Sequence, residues 1–245
     1  MIDDKSLLST KNIPAAERLI FALDVPNAEE ARDWAEKLGD SVRFYKMGLE
    51  LFMASGYFEL LDWLVRRDKK VFVDLKFFDV PETVRAAVRQ LRNRGATFAT
   101  VHGNDGILEA AVKDKEDLKV LAVTVLTSLD EQDLKDLGFQ CDPQTLVLSR
   151  AKRALQIGCD GVVSSGLEAP ALRQSLGEQL MIVVPGIRPV VNRETDDQKR
   201  VVDVDRAFLN GADYIVVGRP IRKSTAPRAV AESMQARIAD LFAGR

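Results

Sequence analysis

Eight short apolar runs recur along the chain, and segments with helical periodicity lie between them. The runs cover residues 19–24, 42–47, 71–76, 97–102, 120–127, 161–165, 181–185 and 214–218. Most are rich in Val, Ile and Phe and apolar on both faces, as parallel strands are when helices cover them on each side. The intervening stretches 28–38, 80–94, 146–157 and 203–210 are amphipathic. Strand then helix, eight times over, predicts an α/β fold in which right-handed crossovers close the sheet into a (β/α)8 TIM barrel. The length of 245 residues suits that barrel, which typically takes about 250. A doubly wound open sheet is the alternative, but no G-x-G-x-x-G follows the first run. No internal boundary is evident, so residues 1–245 read as one domain, with 1–18 a leading segment that covers the barrel base.

A local repeat supports the alternation. Gly95-Ala96-Thr97, Gly158-Cys159-Asp160 and Gly211-Ala212-Asp213 each end a helical stretch and open a strand. Glycine accepts the left-handed conformation that closes a helix, so these triplets mark helix-to-strand turns.

In such barrels the chemistry gathers at the C-terminal ends of the strands. Here the first run ends in Asp24, the second in Lys46, the third in Asp74 and Lys76, the fourth in His102. The fifth ends in Thr127-Ser128, the seventh leads to Pro185-Gly186-Ile187-Arg188-Pro189, and the eighth to Gly218-Arg219-Pro220. Strand alternation puts Phe72, Asp74 and Lys76 on one face and Val71, Val73 and Leu75 on the other. Charges at a buried strand end are costly unless they are paired or used. A solvated ion pair would account for a lone D-x-K; convergence of Asp24, Lys46, Asp74 and Lys76 on one mouth points to function. Arg188 and Arg219, each near a glycine that permits close backbone approach, suit a phosphate group in the last two loops. The polar stretch 190–200 between them is a candidate lid or a plain solvated loop. His102, at a strand end, reads as a hydrogen-bonded packing residue.

Composition removes several alternatives. Charged residues make up 29% of the chain but the net charge is only −2, so no nucleic-acid surface is expected and an anionic ligand must be drawn by local charge. No apolar stretch approaches the ~20 residues that span a bilayer, and the acidic N-terminus lacks a signal-peptide core. Cys141 and Cys159 have neither metal nor redox spacing, and there is a single histidine. A reduced, cytoplasmic protein with no zinc site and no membrane attachment is the expectation.

The stretch Asp74-Leu75-Lys76-Phe77-Phe78-Asp79-Val80-Pro81-Glu82-Thr83 resembles the signature of the orotidine 5'-phosphate decarboxylase family. Phe21-Ala22-Leu23-Asp24, Tyr45-Lys46-Met47-Gly48, Pro185-Gly186-Ile187-Arg188-Pro189 and Val217-Gly218-Arg219-Pro220-Ile221 resemble it too, in the same order from about residue 19 to 224. The D-x-K-x-x-D core is shared with sugar-phosphate aldolases and decarboxylases of the same superfamily; Lys46, the Phe-Phe-Asp-Val-Pro-Glu-Thr extension and the Gly-Ile-Arg-Pro loop favour the orotidylate enzymes.

The resemblance implies cofactor-free conversion of orotidine 5'-monophosphate to uridine 5'-monophosphate and carbon dioxide, the last step of de novo pyrimidine synthesis. It implies catalytic roles for Lys76, Asp74, Asp79 and Lys46, with Lys76 protonating the carbanion left at C6. Asp24 and Lys46 would bind the ribose hydroxyls, Thr127 or Ser128 the pyrimidine, and Arg188, Gln198, Gly218 and Arg219 the phosphate. It further implies a homodimer in which Asp79 and Thr83 reach into the partner's site. Two other readings stand beside it: a metal-dependent aldolase or decarboxylase of a ketose phosphate, and a catalytically silent nucleotide-phosphate binder.

Overall fold

The computed structural model describes residues 7–187 and 202–243. The apolar runs form β1 (Leu19–Ala22), β2 (Phe44–Gly48), β3 (Lys70–Phe77), β4 (Phe98–His102), β5 (Lys119–Val123), β6 (Gly161–Val163), β7 (Met181–Val184) and β8 (Tyr214–Val217). Every neighbouring pair is parallel, and β8 returns to pair with β1, with Ile20 opposite Val216, so the sheet closes as a barrel in sequence order. The predicted (β/α)8 class is the observed one.

The helices between them are α1 (Ala28–Leu38), α2 (Leu49–Met53), α3 (Tyr57–Val65), α4 (Pro81–Arg92), α5 (Asp105–Lys113), α6 (Glu131–Asp136), α7 (Pro143–Ile157), α8 (Ala169–Leu176), α9 (Val204–Leu209), α10 (Arg219–Arg222) and α11 (Pro227–Phe242). Several of their starts follow side-chain chemistry. Asn27, Asn104, Asp142 and Asp203 each accept a hydrogen bond from a first-turn backbone N–H, satisfying donors that have no partner within the helix. Among the described residues no helix is long and apolar enough to cross a membrane.

Strand alternation divides the apolar side chains into two shells. Ile20, Phe44, Phe72, Phe98, Leu121, Val183, Tyr214 and Val216 point into the barrel. Phe98 sits at its centre, 4.9 Å from Phe44 and 5.1 Å from Tyr214, ring centroid to ring centroid. These rings fill the barrel floor and leave room only towards the mouth. The opposite faces of the strands, Val71 and Val73 among them, pack under the helices.

The base of the barrel is fastened by ions. Asp213, fully buried, accepts from Arg173 Nη2 at 2.7 Å, Lys11 Nζ at 3.2 Å, the Ile182 N–H at 2.8 Å and the Ser9 hydroxyl. Lys11 also bonds Glu178 and the Leu180 carbonyl, so the chain before β1 is tied across the starts of β7 and β8. Asp160 repeats the device between β5 and β6, accepting from the Val120 N–H at 2.8 Å and from Lys115. The turn triplets therefore do more than end helices: two of the three place a carboxylate that pins the neighbouring strand. Gly158 and Gly211 stand at φ 99° and 100°, where a side chain would be strained.

The first, fifth and sixth strands end earlier than their apolar runs, and the fifth departs furthest from expectation. The fifth run, predicted to continue to Thr127, leaves the sheet after Val123. The Thr124 hydroxyl bonds the Val163 carbonyl and the Leu129 N–H bonds the Leu126 carbonyl, turning the chain over the barrel mouth. Val125 is buried there, which is why the apolar run outlasts the strand.

Removing the Asp213 carboxylate would take the nearer, fully buried counter-charge from Arg173 and leave it the partly exposed Glu178 at 3.2 Å. Asp213→Ala is expected to lower stability by about 3–5 kcal/mol, read as a fall in the denaturant midpoint with the mouth of the barrel unaltered.

Candidate active site

The C-terminal mouth of the barrel encloses a cavity of about 230 Å³. Its charged side is built by the first three strands. Lys46, the central residue of β2, places Nζ 3.0 Å from Asp24 Oδ1 and 3.6 Å from Asp74 Oδ2. Lys76 Nζ lies 2.9 Å from Asp74 Oδ1. Asp74 thus stands between two ammonium groups, and the order Asp24, Lys46, Asp74, Lys76 alternates in sign across the site.

Local backbone geometry sets this order. The β3–β4 register shifts between Val73 and Phe77, and within the shift Lys76 adopts φ +50°. A lysine in the left-handed region is uncommon and costs of order 1–3 kcal/mol, so something must hold it. Thr100, fully buried in β4, does so: its Oγ1 accepts from the Lys76 N–H at 2.9 Å and donates to Asp74 Oδ1 at 2.9 Å. One hydroxyl fixes both the bend and the carboxylate. Glycines leave the charges room: a Cβ at Gly48 would come 3.2 Å from Lys46 Nζ, and one at Gly218 3.5 Å from Asp24 Oδ2.

Burial and charge act against each other here. Burial alone would lift the Asp74 carboxyl, but Lys46, Lys76 and the hydrogen bonds from Lys76 and Thr100 hold it below the usual carboxylate range. Burial would likewise depress the Lys46 ammonium, yet Asp74 and Asp24 outweigh it and keep it above the usual lysine range. Both groups are charged throughout the neutral range.

The other side of the cavity is different in kind. Pro185 and Gly186 after β7, and Gly218 and Arg219 after β8, form one wall, with Thr127 and Leu126 above and the apolar Phe72, Val163 and Val216 below. The centre can therefore hold a flat ligand, with a carboxylate-and-ammonium cluster at one end and glycine backbone beside an arginine at the other.

The expected residues separate into groups. Asp24, Lys46, Asp74, Lys76, Thr127, Gly218 and Arg219 come together around one cavity. Ser128 is exposed and outside its lining. Asp79 and Thr83 do not face it either; both are exposed and border a shallow depression between β3 and α4. Arg188, Gln198 and the stretch 190–200 lie outside the described residues. His102 packs edge-on against Phe78 at 5.4 Å beside a separate hollow, and burial, with Arg150 and Lys76 nearby, lowers its pKa. Thr100 was not singled out from sequence, although a hydroxyl in the run Phe98-Ala99-Thr100-Val101 is a buried polar group that calls for a partner.

Fold and cavity together define a barrel enzyme whose active centre is a charge-balanced carboxylate–ammonium array at the C-terminal mouth. The sequence places it further: the chain belongs to the orotidine 5'-phosphate decarboxylase / HUMPS family, whose sequence model matches residues 17–234. An orotidine 5'-phosphate decarboxylase from Methylococcus capsulatus is 66% identical over 238 residues, covering 97% of this chain and 98% of its own. One from Stenotrophomonas maltophilia is 50% identical over 231 residues, with 94% and 95% covered. The crystal structure of orotidine 5'-phosphate decarboxylase from Lactobacillus acidophilus superposes with a TM-score of 0.80 at 33% identity, covering 91% of this chain and 99% of that one.

The shifts carry a sign that can be measured. A depressed Asp74 adds stability above the ordinary carboxylate range, and that stability is lost as pH falls through its folded pKa; a raised Lys46 adds stability below the ordinary lysine range, lost as pH climbs through its folded pKa. Thr100→Val removes one hydrogen bond to the carboxylate, so the acid limb of melting temperature against pH is expected to move to higher pH. Superimposable limbs would remove Thr100 from the array.

Proposed function

We propose that this chain converts orotidine 5'-monophosphate to uridine 5'-monophosphate and carbon dioxide, serving pyrimidine biosynthesis. The observation that carries the proposal is Asp74, an ionised carboxylate held between Lys46 and Lys76 at the cavity floor, in a member of this family.

Loss of carbon dioxide from an sp² ring carbon leaves an electron pair that the ring delocalises poorly. A catalyst must favour that carbanion over the starting carboxylate. With the phosphate at the Gly218–Arg219 wall and the pyrimidine under Thr127, the C6 carboxylate falls towards Asp74 and Lys76. The C6–carboxylate bond breaks, its electron pair stays on C6, and carbon dioxide departs. The Lys76 ammonium, beside the forming charge, stabilises it and donates the proton that becomes the new C6–H. The neutral amine then takes a proton from water. Asp74 contributes on both sides of the step: it repels the substrate carboxylate, a repulsion that ends when neutral carbon dioxide forms, and it holds the Lys76 rotamer. Lys46 keeps Asp74 ionised and, with Asp24, meets the ribose hydroxyls. Arg188, by its place in the sequence after the seventh run, and Gln198, by the resemblance, join the phosphate contacts.

The active form is a homodimer in this proposal. Asp79 and Thr83 face away from their own cavity beside exposed apolar side chains: Phe78 is 68% and Val80 64% exposed. A second copy would cover that surface and bring its Asp79 and Thr83 to the neighbouring array, where Asp79 extends the alternation beyond Lys76. Ser128 has no part in the pocket and Thr127 takes the pyrimidine contact. Cytoplasmic residence fits the free thiols of Cys141 and Cys159.

The direct test follows orotidine 5'-monophosphate absorbance with purified protein in excess EDTA. Turnover is expected in the chelator, and Lys76→Ala should lower kcat by roughly 10³-fold or more, combining a lost general acid with a lost charge. No turnover in EDTA, with activity on a ketose phosphate restored by Mg²⁺, would favour the metal-dependent relatives; tight uridine monophosphate binding with no turnover at all would mean a silent binder.

Assembly has its own test. Inactive Lys76→Ala and Asp79→Ala chains, mixed under subunit exchange, should regain about a quarter of full activity, because half of a two-fold symmetric population is hybrid and each hybrid has one intact site. A mixture that stays inactive rules out the shared site.

A further inference from the structure

Gly166 lies in the loop between β6 and α8, behind the cavity wall and outside its lining. A Cβ built on it would stand 2.3 Å from Val202 Cγ2, 3.0 Å from Cγ1 and 3.2 Å from Cβ. Valine's two γ-methyls flank this point, so rotation about χ1 exchanges one clash for another. Val202 is therefore seated on the bare backbone of Gly166, and only a main-chain shift of about 1 Å would admit a methyl group there.

That seat connects to the active centre. Val202 forms a parallel bridge with Ile187, which is fully buried and follows directly on Pro185 and Gly186 of the cavity wall. The Gly166 carbonyl accepts from Asn210 Nδ2 at 2.7 Å. Asn210 closes α9, whose N-cap Asp203 adjoins Val202, so one glycine receives the chain at both ends of that helix. The loop itself is held firmly: the buried Glu168 carboxylate accepts from the Ser165 N–H at 3.0 Å and from the Ser165 hydroxyl.

We propose that Gly166 is a positioning residue for the phosphate end of the substrate. Its missing side chain lets Val202 settle against the β6 loop, and the Val202–Ile187 bridge transmits that position to Pro185 and Gly186. The inference rests on the phosphate lying at the β7–β8 wall. A displaced wall then weakens ligands that carry a 5'-phosphate and leaves the nucleoside end, built by β1 to β3, unchanged.

The experiment compares inhibition by uridine monophosphate and by uridine in the unmodified enzyme, Gly166→Ala, Val202→Ala and the double variant. Displacements of about 1 Å at positioning groups cost up to roughly 100-fold, and for a contact one layer behind the ligand about tenfold is expected. Gly166→Ala should raise the uridine monophosphate constant by about that factor, with uridine within about twofold and kcat at saturation little changed. Val202→Ala empties the seat without crowding it and should give a smaller, equally phosphate-selective loss. The double variant should recover most of the way to the Val202→Ala value, since the γ-methyl clashes are gone and only the 3.2 Å approach to the position 202 Cβ remains. Losses that fall equally on both ligands, or a double variant no better than Gly166→Ala, would overturn the proposal; should Gly166→Ala not fold, an unselective Val202→Ala loss does the same. If the unmodified enzyme does not distinguish the two ligands, the phosphate assignment of that wall falls and takes this inference with it.

Discussion

Asp74 has to remain ionised where burial opposes ionisation, and the rest of the active centre is arranged around that requirement. A carboxylate taken out of water costs several kcal/mol unless opposite charge and hydrogen bonds replace the lost solvent. Lys46 and Lys76 supply the charge and Thr100 the hydrogen bond, so one group draws on β2, β3 and β4. The bend at Lys76 follows from the same need. A straight β3 would carry its register on to β4 unbroken, whereas the shift places the lysine where its ammonium meets the carboxylate and its N–H meets Thr100.

The two ends of the barrel use charge for opposite purposes. At the base, Asp213 is shared among a guanidinium, an ammonium, a hydroxyl and a backbone N–H, and Asp160 is matched by Lys115 and the Val120 N–H. Asp213 is fully enclosed and Asp160 largely so, and both are used in fastening strands. At the mouth the charges border an open cavity, and Asp24 keeps nearly half of its side-chain surface accessible. The aromatic floor of Phe44, Phe72, Phe98 and Tyr214 separates the ends, so the stability of the base and the chemistry of the mouth can be altered independently.

Much of this was legible in the sequence because it follows from short-range rules. The apolar runs gave the strands, and their polar ends gave Asp24, Lys46, Asp74 and Lys76, since alternation along a strand fixes which residues share a face. What was not legible depends on contacts between strands. The left-handed Lys76 arises from a register shift against β4, and nothing local to Asp74-Leu75-Lys76 announces it. Thr100 matters only because β4 lies beside β3. The fifth apolar run outlasts its strand because Val125 is buried in a turn over the mouth, and apolar pattern alone does not distinguish a buried turn from a buried strand. Asp79 stands five residues beyond Asp74 yet outside the cavity, because β3 ends at Phe77 and the chain is already turning from the mouth ahead of α4.

The alternating array has a consequence for each catalytic cycle. Within one chain the two carboxylates and two ammonium groups sum to zero, so the array that a single chain supplies is electrically neutral. In the proposed reaction the substrate's carboxylate arrives as one surplus negative charge, and carbon dioxide leaves without it. That charge does not vanish; it persists as the missing proton of Lys76 until water restores it. Every turnover in that reaction therefore takes up one proton, and the lysine must open to solvent before the next substrate can meet an array restored to its resting charge.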